Sequence, residues 1–214
     1  MMKCLFLALI SAVLSGCATP NIQPGHVLDQ KSGNGVATGT ITYQGGYAAY
    51  RLHIEEKSGR ERYRVQHGES QTMNLAYAFK GEPPDGALQQ RGSAFAVELP
   101  AGSYIIRSWQ ISQGASNVSS TKPTAIEFTV TAGQAVYLGN FHFTEKARVG
   151  RLTTAAEVTL TEKAARDIPV LKTKFPVLAT NPISQGIAAD TKVEALGGSS
   201  DGRIQIPIFV PIVR

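Results

Sequence analysis

The chain has 214 residues, 43% of them hydrophobic and 17% charged, enough to bury one substantial core, so a single domain is the default expectation. Its net charge of +5 is the excess of 21 basic over 16 acidic residues. These are scattered without a run of five or six like charges, which argues against nucleic acid as a partner. Two cysteines, Cys4 and Cys17, are too few for a scaffold built on disulfides.

The opening MMKCLFLALISAVLSGC has a basic head at Lys3, an apolar run from Leu5 to Leu14 broken only by Ser11, and small residues before Cys17. This is the layout of an export signal, and its run is about half the ~20 apolar residues that a membrane-spanning helix needs. Leu14, Ser15, Gly16 and Cys17 resemble the lipobox of bacterial lipoproteins at all four positions. The resemblance implies a signal peptide over 1–16, a diacylglyceryl thioether on Cys17, cleavage just before it, and acylation of the new amino terminus, with palmitate an expected chain. Stable anchoring takes two lipid signals, so a multiply acylated Cys17 is a durable membrane anchor. Ala18 stands where inner-membrane lipoproteins often carry Asp; the resemblance therefore implies the outer membrane, with the domain facing the periplasm. Cys4 leaves with the signal, so no disulfide forms within one mature molecule. Loss of Lys3 leaves 20 basic against 16 acidic residues, a net charge of +4.

Residues 17–35 carry Pro20, Pro24 and several glycines and serines with little apolar periodicity, and read as a lipid-anchored flexible tether. A coil growing by about 5 to 6 Å per square root of residue number would hold the domain on the order of 25 Å from the bilayer. Short alternating runs follow. Ala48, Tyr50, Leu52 and Ile54 share one face and Arg51 and His53 the other, while Tyr63, Val65 and His67 oppose Arg62, Arg64 and Gln66. Ser58 and Gly59 between these runs predict a hairpin. A strand through Met73, Leu75, Tyr77 and Phe79 is expected next, ended by a Pro83-Pro84-Asp85-Gly86 turn. Further strands are predicted over 93–99, 103–111, 125–130, 134–143 and 152–160. Eight or nine such strands joined by glycine-bearing turns argue for an antiparallel sandwich rather than a parallel sheet.

One short helix is predicted late. Asp167 is its expected N-cap, Pro169 fits the first turn and Pro176 discourages continuation. Leu171 and Phe175 would face the sheet, leaving Lys172 and Lys174 in solvent. Residues 179–214 read as a polar loop followed by a C-terminal edge strand.

The phrases LPAGSYIIRSW (99–109), VTAGQAVYLGNF (130–141) and DIPVLKTKFPVL (167–178) resemble bacterial lipoproteins that carry an immunoglobulin-like sandwich of the prealbumin or carboxypeptidase-regulatory kind. The resemblance covers 36–178 and implies a mainly β domain, an antiparallel immunoglobulin-like or prealbumin-like β-sandwich with one short helix in its C-terminal half. Those families are largely without assigned chemistry, so no functional residues come with it.

His26, His53, His67 and His142 are far apart and lack metal-ligand spacing, so neither a metal nor a cofactor is expected. No GxSxG motif occurs, and a non-catalytic protein is the reading. Arg51, His53, Arg62 and Arg64 would share one exposed hairpin face able to receive an anionic glycan or lipopolysaccharide phosphate, unless Glu55, Glu56 and Glu61 neutralise it as an ordinary solvated face. In RIQIPIFVPIVR, Ile204, Ile206, Ile208, Val210 and Ile212 form a period-2 stripe with Pro207 and Pro211 between them. Proline cannot donate to a ladder, so this strand is expected at an edge, packed on its own sandwich or docked on a partner. The expectation is a binding or structural module in a cell-envelope assembly, with an envelope protein as its partner. A glycan- or lipopolysaccharide-binding module is the alternative and an envelope hydrolase ranks third, requiring an acid, a histidine and a nucleophile brought together by the fold.

Overall fold

The structure, a computed structural model, describes residues 18–69, 81–198 and 200–204. The signal segment 1–16, Cys17, the strand expected through Met73, Leu75, Tyr77 and Phe79, and the stripe residues Ile206, Ile208, Val210 and Ile212 lie outside the described residues.

Alternation along the strands divides each into an inner and an outer face, and the inner faces meet in one core. The strands are β1 (Asn34–Gln44), β2 (Ala49–Glu56), β3 (Arg62–His67), β4 (Arg91–Pro100), β5 (Gly102–Gln113), β6 (Ser116–Ser120), β7 (Ile126–Val130), β8 (Ala135–Val149) and β9 (Leu152–Thr161). Two helices, α1 (Ala164–Lys174) and α2 (Val177–Thr180), precede β10 (Ile183–Gln185), β11 (Lys192–Val193) and β12 (Ser200–Ile204). One sheet has the order β11-β9-β8-β1-β4 with β10 beside β8, and the other the order β12-β6-β5-β2-β3 with β7 beside β5. Ile41, Phe95, Phe141 and Phe143 of the first sheet pack against Tyr50, Leu52, Tyr104 and Trp109 of the second.

The chain is mainly β and its sheets are rich in antiparallel pairs, but two pairs depart from the antiparallel expectation. Both β1 and β10 run parallel to β8. Before β8 the chain changes sheet after β1, β3, β4 and β7, and β8 re-enters the first sheet running in the direction of β1. A bulge here has a structural effect. Thr38 faces Tyr137, yet Thr40 faces Asn140, and Gly139 absorbs the extra residue at φ +96°, a value that favours glycine. Tyr137 and Asn140, three apart, thereby point to the same outer face.

That outer face is covered by α1; its Leu171, and Phe175 at its C-terminal cap, are buried with Val36, Ala94 and Tyr137, as their spacing predicts. Two expectations about this region are corrected. Asp167 is not the N-cap; the helix begins three residues earlier, its Ala164 amide donates to Glu162 Oε1 at 2.9 Å, and Asp167 is turned inward and fully buried. After Pro176 the chain also forms a second helical turn, α2, which inserts Leu178 beneath it.

The flexible tether is corrected as well. Thr19 and Arg64 exchange bonds, the Thr19 amide donating to the Arg64 carbonyl at 2.8 Å and the Arg64 amide to Thr19 Oγ1 at 3.2 Å. Further along, the Ile22 amide donates to the Ala96 carbonyl at 2.9 Å, and Asn21 Oδ1 accepts from the Ala96 amide at 2.9 Å. Residues 19–22 thus form a strap from the edge of β3 in one sheet to the edge of β4 in the other. Two strand edges without another partner among the described residues give the reason, since each offers donors and acceptors that the strap satisfies, while Ile22 is buried beside Ala96. Residues 30–32 form a 3-10 turn capped by the Asp29 side chain.

The polar tail is corrected in the same way. Residues 183–185 extend the first sheet and Leu196 enters the core, its carbonyl accepting the Trp109 indole N–H at 2.6 Å. β12 pairs with β6 at the end of the second sheet, so Ile204, its last residue, lies on a strand with one described neighbour.

Candidate functional site

The outer face of the second sheet carries the four residues expected on the hairpin. β2 and β3 pair in the register Arg51↔Gln66, His53↔Arg64 and Glu55↔Arg62, which places Arg51, His53, Arg62 and Arg64 together. β5 sets Gln110 opposite Arg51 and Ser108 opposite His53. A register shift follows between His53 and Ile54, and Arg107 joins the same groove. Its volume is about 360 Å³, and His53, Glu55, Arg62, Tyr63, Arg107 and Ser108 line it.

Glutamine and glutamate side chains orient the cations on this face. Arg51 Nε donates to Gln66 Oε1 at 2.8 Å and its Nη1 to Gln110 Oε1 at 3.2 Å. Glu55 accepts from Arg107 Nε at 3.0 Å and lies 3.7 Å from Arg62 Nε. Of the acids expected to neutralise the face, Glu55 does so in part, and Glu56 lies 4.0 Å from Arg60 and accepts from the Ser58 hydroxyl. Burial, followed by the charge of Arg64, holds the His53 imidazole below the usual histidine range, opposed by a hydrogen bond with Gln110 and helped by the charge of Arg51. Arg62 and Arg107 therefore share Glu55. Exposed ion pairs of this kind contribute about 0–1 kcal/mol, so an incoming anion competes with Glu55 at little cost, and guanidinium groups suit phosphate or carboxylate geometry.

A second cluster lies between the sheets, where inward residues of β3 and β4 approach each other. His67 Nδ1 is 2.9 Å from Ser93 Oγ, and His67 Nε2 is 2.9 Å from Glu82 Oε2. Tyr43 donates its hydroxyl to the same carboxylate oxygen at 2.9 Å. Burial works to raise the Glu82 pKa, but the hydrogen bond and charge of His67, the Tyr43 hydroxyl and Arg91 together outweigh it and hold the carboxyl below its ordinary value. Burial and Glu82 push the Tyr43 hydroxyl far up, so it remains a proton donor. No short sequence motif announces this trio, because Ser93, His67 and Glu82 meet only through the approach of two strands from different sheets. His53 and His67 point to opposite faces, as the alternation predicts.

A third polar group fixes α1. Asp167 Oδ2 accepts from Thr40 at 2.8 Å and from Tyr137 at 2.7 Å, and its Oδ1 accepts from Arg166 Nε at 2.7 Å. Asn140 bridges Thr40 and Thr42, and Thr42 meets His142 Nδ1 at 2.9 Å. Every member connects sheet to helix or strand to strand, which makes the network structural. Among the described residues no three His, Cys, Asp or Glu side chains gather in a way that could hold a metal ion, and no helix is long and apolar enough to cross a membrane.

Comparison with protein families finds no matching family, and comparison with curated proteins finds no match. Among solved structures, a leucine-rich repeat protein from Bacteroides thetaiotaomicron VPI-5482 matches 50% of this chain and 13% of its own, at 14% identity and a TM-score of 0.28.

Proposed function

We propose that the protein is an outer-membrane lipoprotein, anchored through Cys17 and facing the periplasm, whose immunoglobulin-like or prealbumin-like sandwich serves as a non-catalytic binding module in the cell envelope. The observation that carries this reading is Leu14-Ser15-Gly16-Cys17 directly before a strap that joins both sheets, so that an anchor at Cys17 attaches to a rigid body. The finer fold reading is supported by Tyr104. It follows the Pro100-Ala101-Gly102 corner where the chain changes sheet and returns its hydroxyl to the Pro100 carbonyl at 2.7 Å, the arrangement of a tyrosine corner. The arginine groove of the second sheet is the candidate contact for an anionic partner, whether an envelope protein or a glycan. Cys17→Ser tests the anchor. The wild type is expected in the membrane fraction with acyl chains detected on Cys17 by mass spectrometry, and the variant in the soluble fraction; an unacylated wild type at the membrane would defeat the reading.

One observation favours a second reading, an envelope hydrolase: the Ser93-His67-Glu82 chain has the order of nucleophile, base and orienting acid. In that role His67 Nδ1 would take the Ser93 hydroxyl proton as Oγ attacks an ester or amide carbonyl, and would return it to the leaving group. A fluorophosphonate probe distinguishes the roles. Labelling that disappears in Ser93→Ala supports hydrolysis, whereas an unlabelled Ser93 leaves the trio as a clamp between the sheets.

A further inference from the structure

We infer that the arginine-bearing face of β2, β3 and β5 lies against the anionic headgroups of the bilayer that holds the protein's own lipid; this inference rests on the lipoprotein reading above. The geometry starts at the strap. Thr19 is hydrogen-bonded to Arg64 in the edge strand β3, and two residues of extended chain span at most about 7 Å. A lipid on Cys17 therefore leaves the molecule at the β3 edge and not at the far end of a 25 Å coil. The distance from anchor to β3 is within the screening length of about 8 Å at physiological salt, so charges on this edge act on the membrane surface directly.

Basic groups outnumber acids there, with Glu56 4.0 Å from Arg60 and Glu61 next to Arg62 in the chain. Arg62 is 82% exposed and Arg60 at the hairpin tip 79% exposed, and Arg107, half exposed, shares the single carboxylate of Glu55. Between Cys17 and Asp29 the chain carries no acid, so nothing on the strap repels a phosphate. Glu98, the acid that borders the strap, accepts from Asn34 at 3.1 Å on the side of the first sheet. The opposite face of the sandwich carries α1 and looks away from the anchor. The arginine groove and the point where the lipid leaves thus share the β3 edge.

A thiol reporter tests the orientation in the full acylated protein, in which Cys17 is blocked and Cys4 is removed, so an introduced cysteine is the one free thiol. Ser108→Cys places it in the groove and keeps every arginine; Lys172→Cys places it on α1. The proteins are reconstituted into phosphatidylcholine vesicles with and without phosphatidylglycerol and exposed to a membrane-impermeant maleimide. The expected result is several-fold slower labelling at position 108 in the anionic vesicles, reversed by high salt or by Arg60→Gln with Arg62→Gln, while position 172 labels equally in both. Equal labelling at 108 in anionic and neutral vesicles, with acylation intact, overturns the orientation alone. A wild type without acyl chains overturns the orientation together with the lipoprotein reading.

Discussion

Replacing Trp109 by alanine is expected to destabilise the protein more than any other single truncation in the core. The indole is completely buried, stands edge-on to Phe143 with centroids 6.0 Å apart, and donates to the Leu196 carbonyl. Large-to-small changes at such sites cost about 3–5 kcal/mol, and the orphaned carbonyl adds roughly 1–3 kcal/mol. Domains of this size lose about 2–4 °C per kcal/mol, so thermal unfolding followed by circular dichroism should show a fall of about 10 °C or more. Trp109→Phe keeps most of the apolar area and loses the donor, and should fall by about 1–2 kcal/mol. Because Trp109 is the only tryptophan, its fluorescence offers a second reading. Leu196→Ala should red-shift the emission by admitting water beside the ring. An unchanged spectrum would contradict the placement of the 194–198 segment over the core.

The second large effect is expected at Asp167. Its carboxylate is fully buried and is the common acceptor for Thr40, Tyr137 and Arg166. Asp167→Ala leaves two hydroxyls and a guanidinium without their shared partner. Removing one member of a buried ion pair costs about 3–5 kcal/mol, most of it the penalty of the uncompensated partner. The loss should be concentrated where the network acts: hydrogen exchange of 164–180 should accelerate more than that of β2 or β5, because the carboxylate ties α1 to the first sheet. Asp167→Asn keeps the shape and one acceptor oxygen and should fall between wild type and alanine. A melting temperature for Asp167→Ala within a degree of wild type would show that the helix is held by Leu171 and Phe175 alone.

The hairpin faces, the turn at Ser58-Gly59 and the inward pair Leu171 and Phe175 were all legible from residue types, because each depends on neighbours two to four positions away; the turn expected at Pro83–Gly86 instead falls over 86–89, closed by a bridge between Asp85 and Gln90. What was not legible depends on contacts between distant segments. β1 reads GVATGTITY over 35–43, with threonines where a half-exposed strand would carry charges; Thr38, Thr40 and Thr42 are buried because α1 and its polar network cover that face. Asp167 has the composition of a cap, but acceptors in the sheet interior are scarcer than at a helix start, and the sheet's hydroxyls claim it. Residues 18–34 and 183–198 are rich in glycine and polar residues, the composition of loops, yet both supply backbone groups to strand edges that sequence alone does not expose as unpaired. The basic face follows directly from alternation. The Ser93-His67-Glu82 trio does not, since it joins two strands that lie in different sheets.

The strap also determines how the molecule bears a mechanical load. Tension entering the chain ahead of residue 18 reaches first the paired bonds between Thr19 and Arg64, then those of Asn21 and Ile22 with Ala96. These bonds lie on two different sheets, so a pull on the N-terminal end meets one half of the sandwich and then the other before any strand is drawn from the core. Force on that end tends to peel the strap one edge at a time, β3 first and β4 second, with burial of Ile22 as the last resistance.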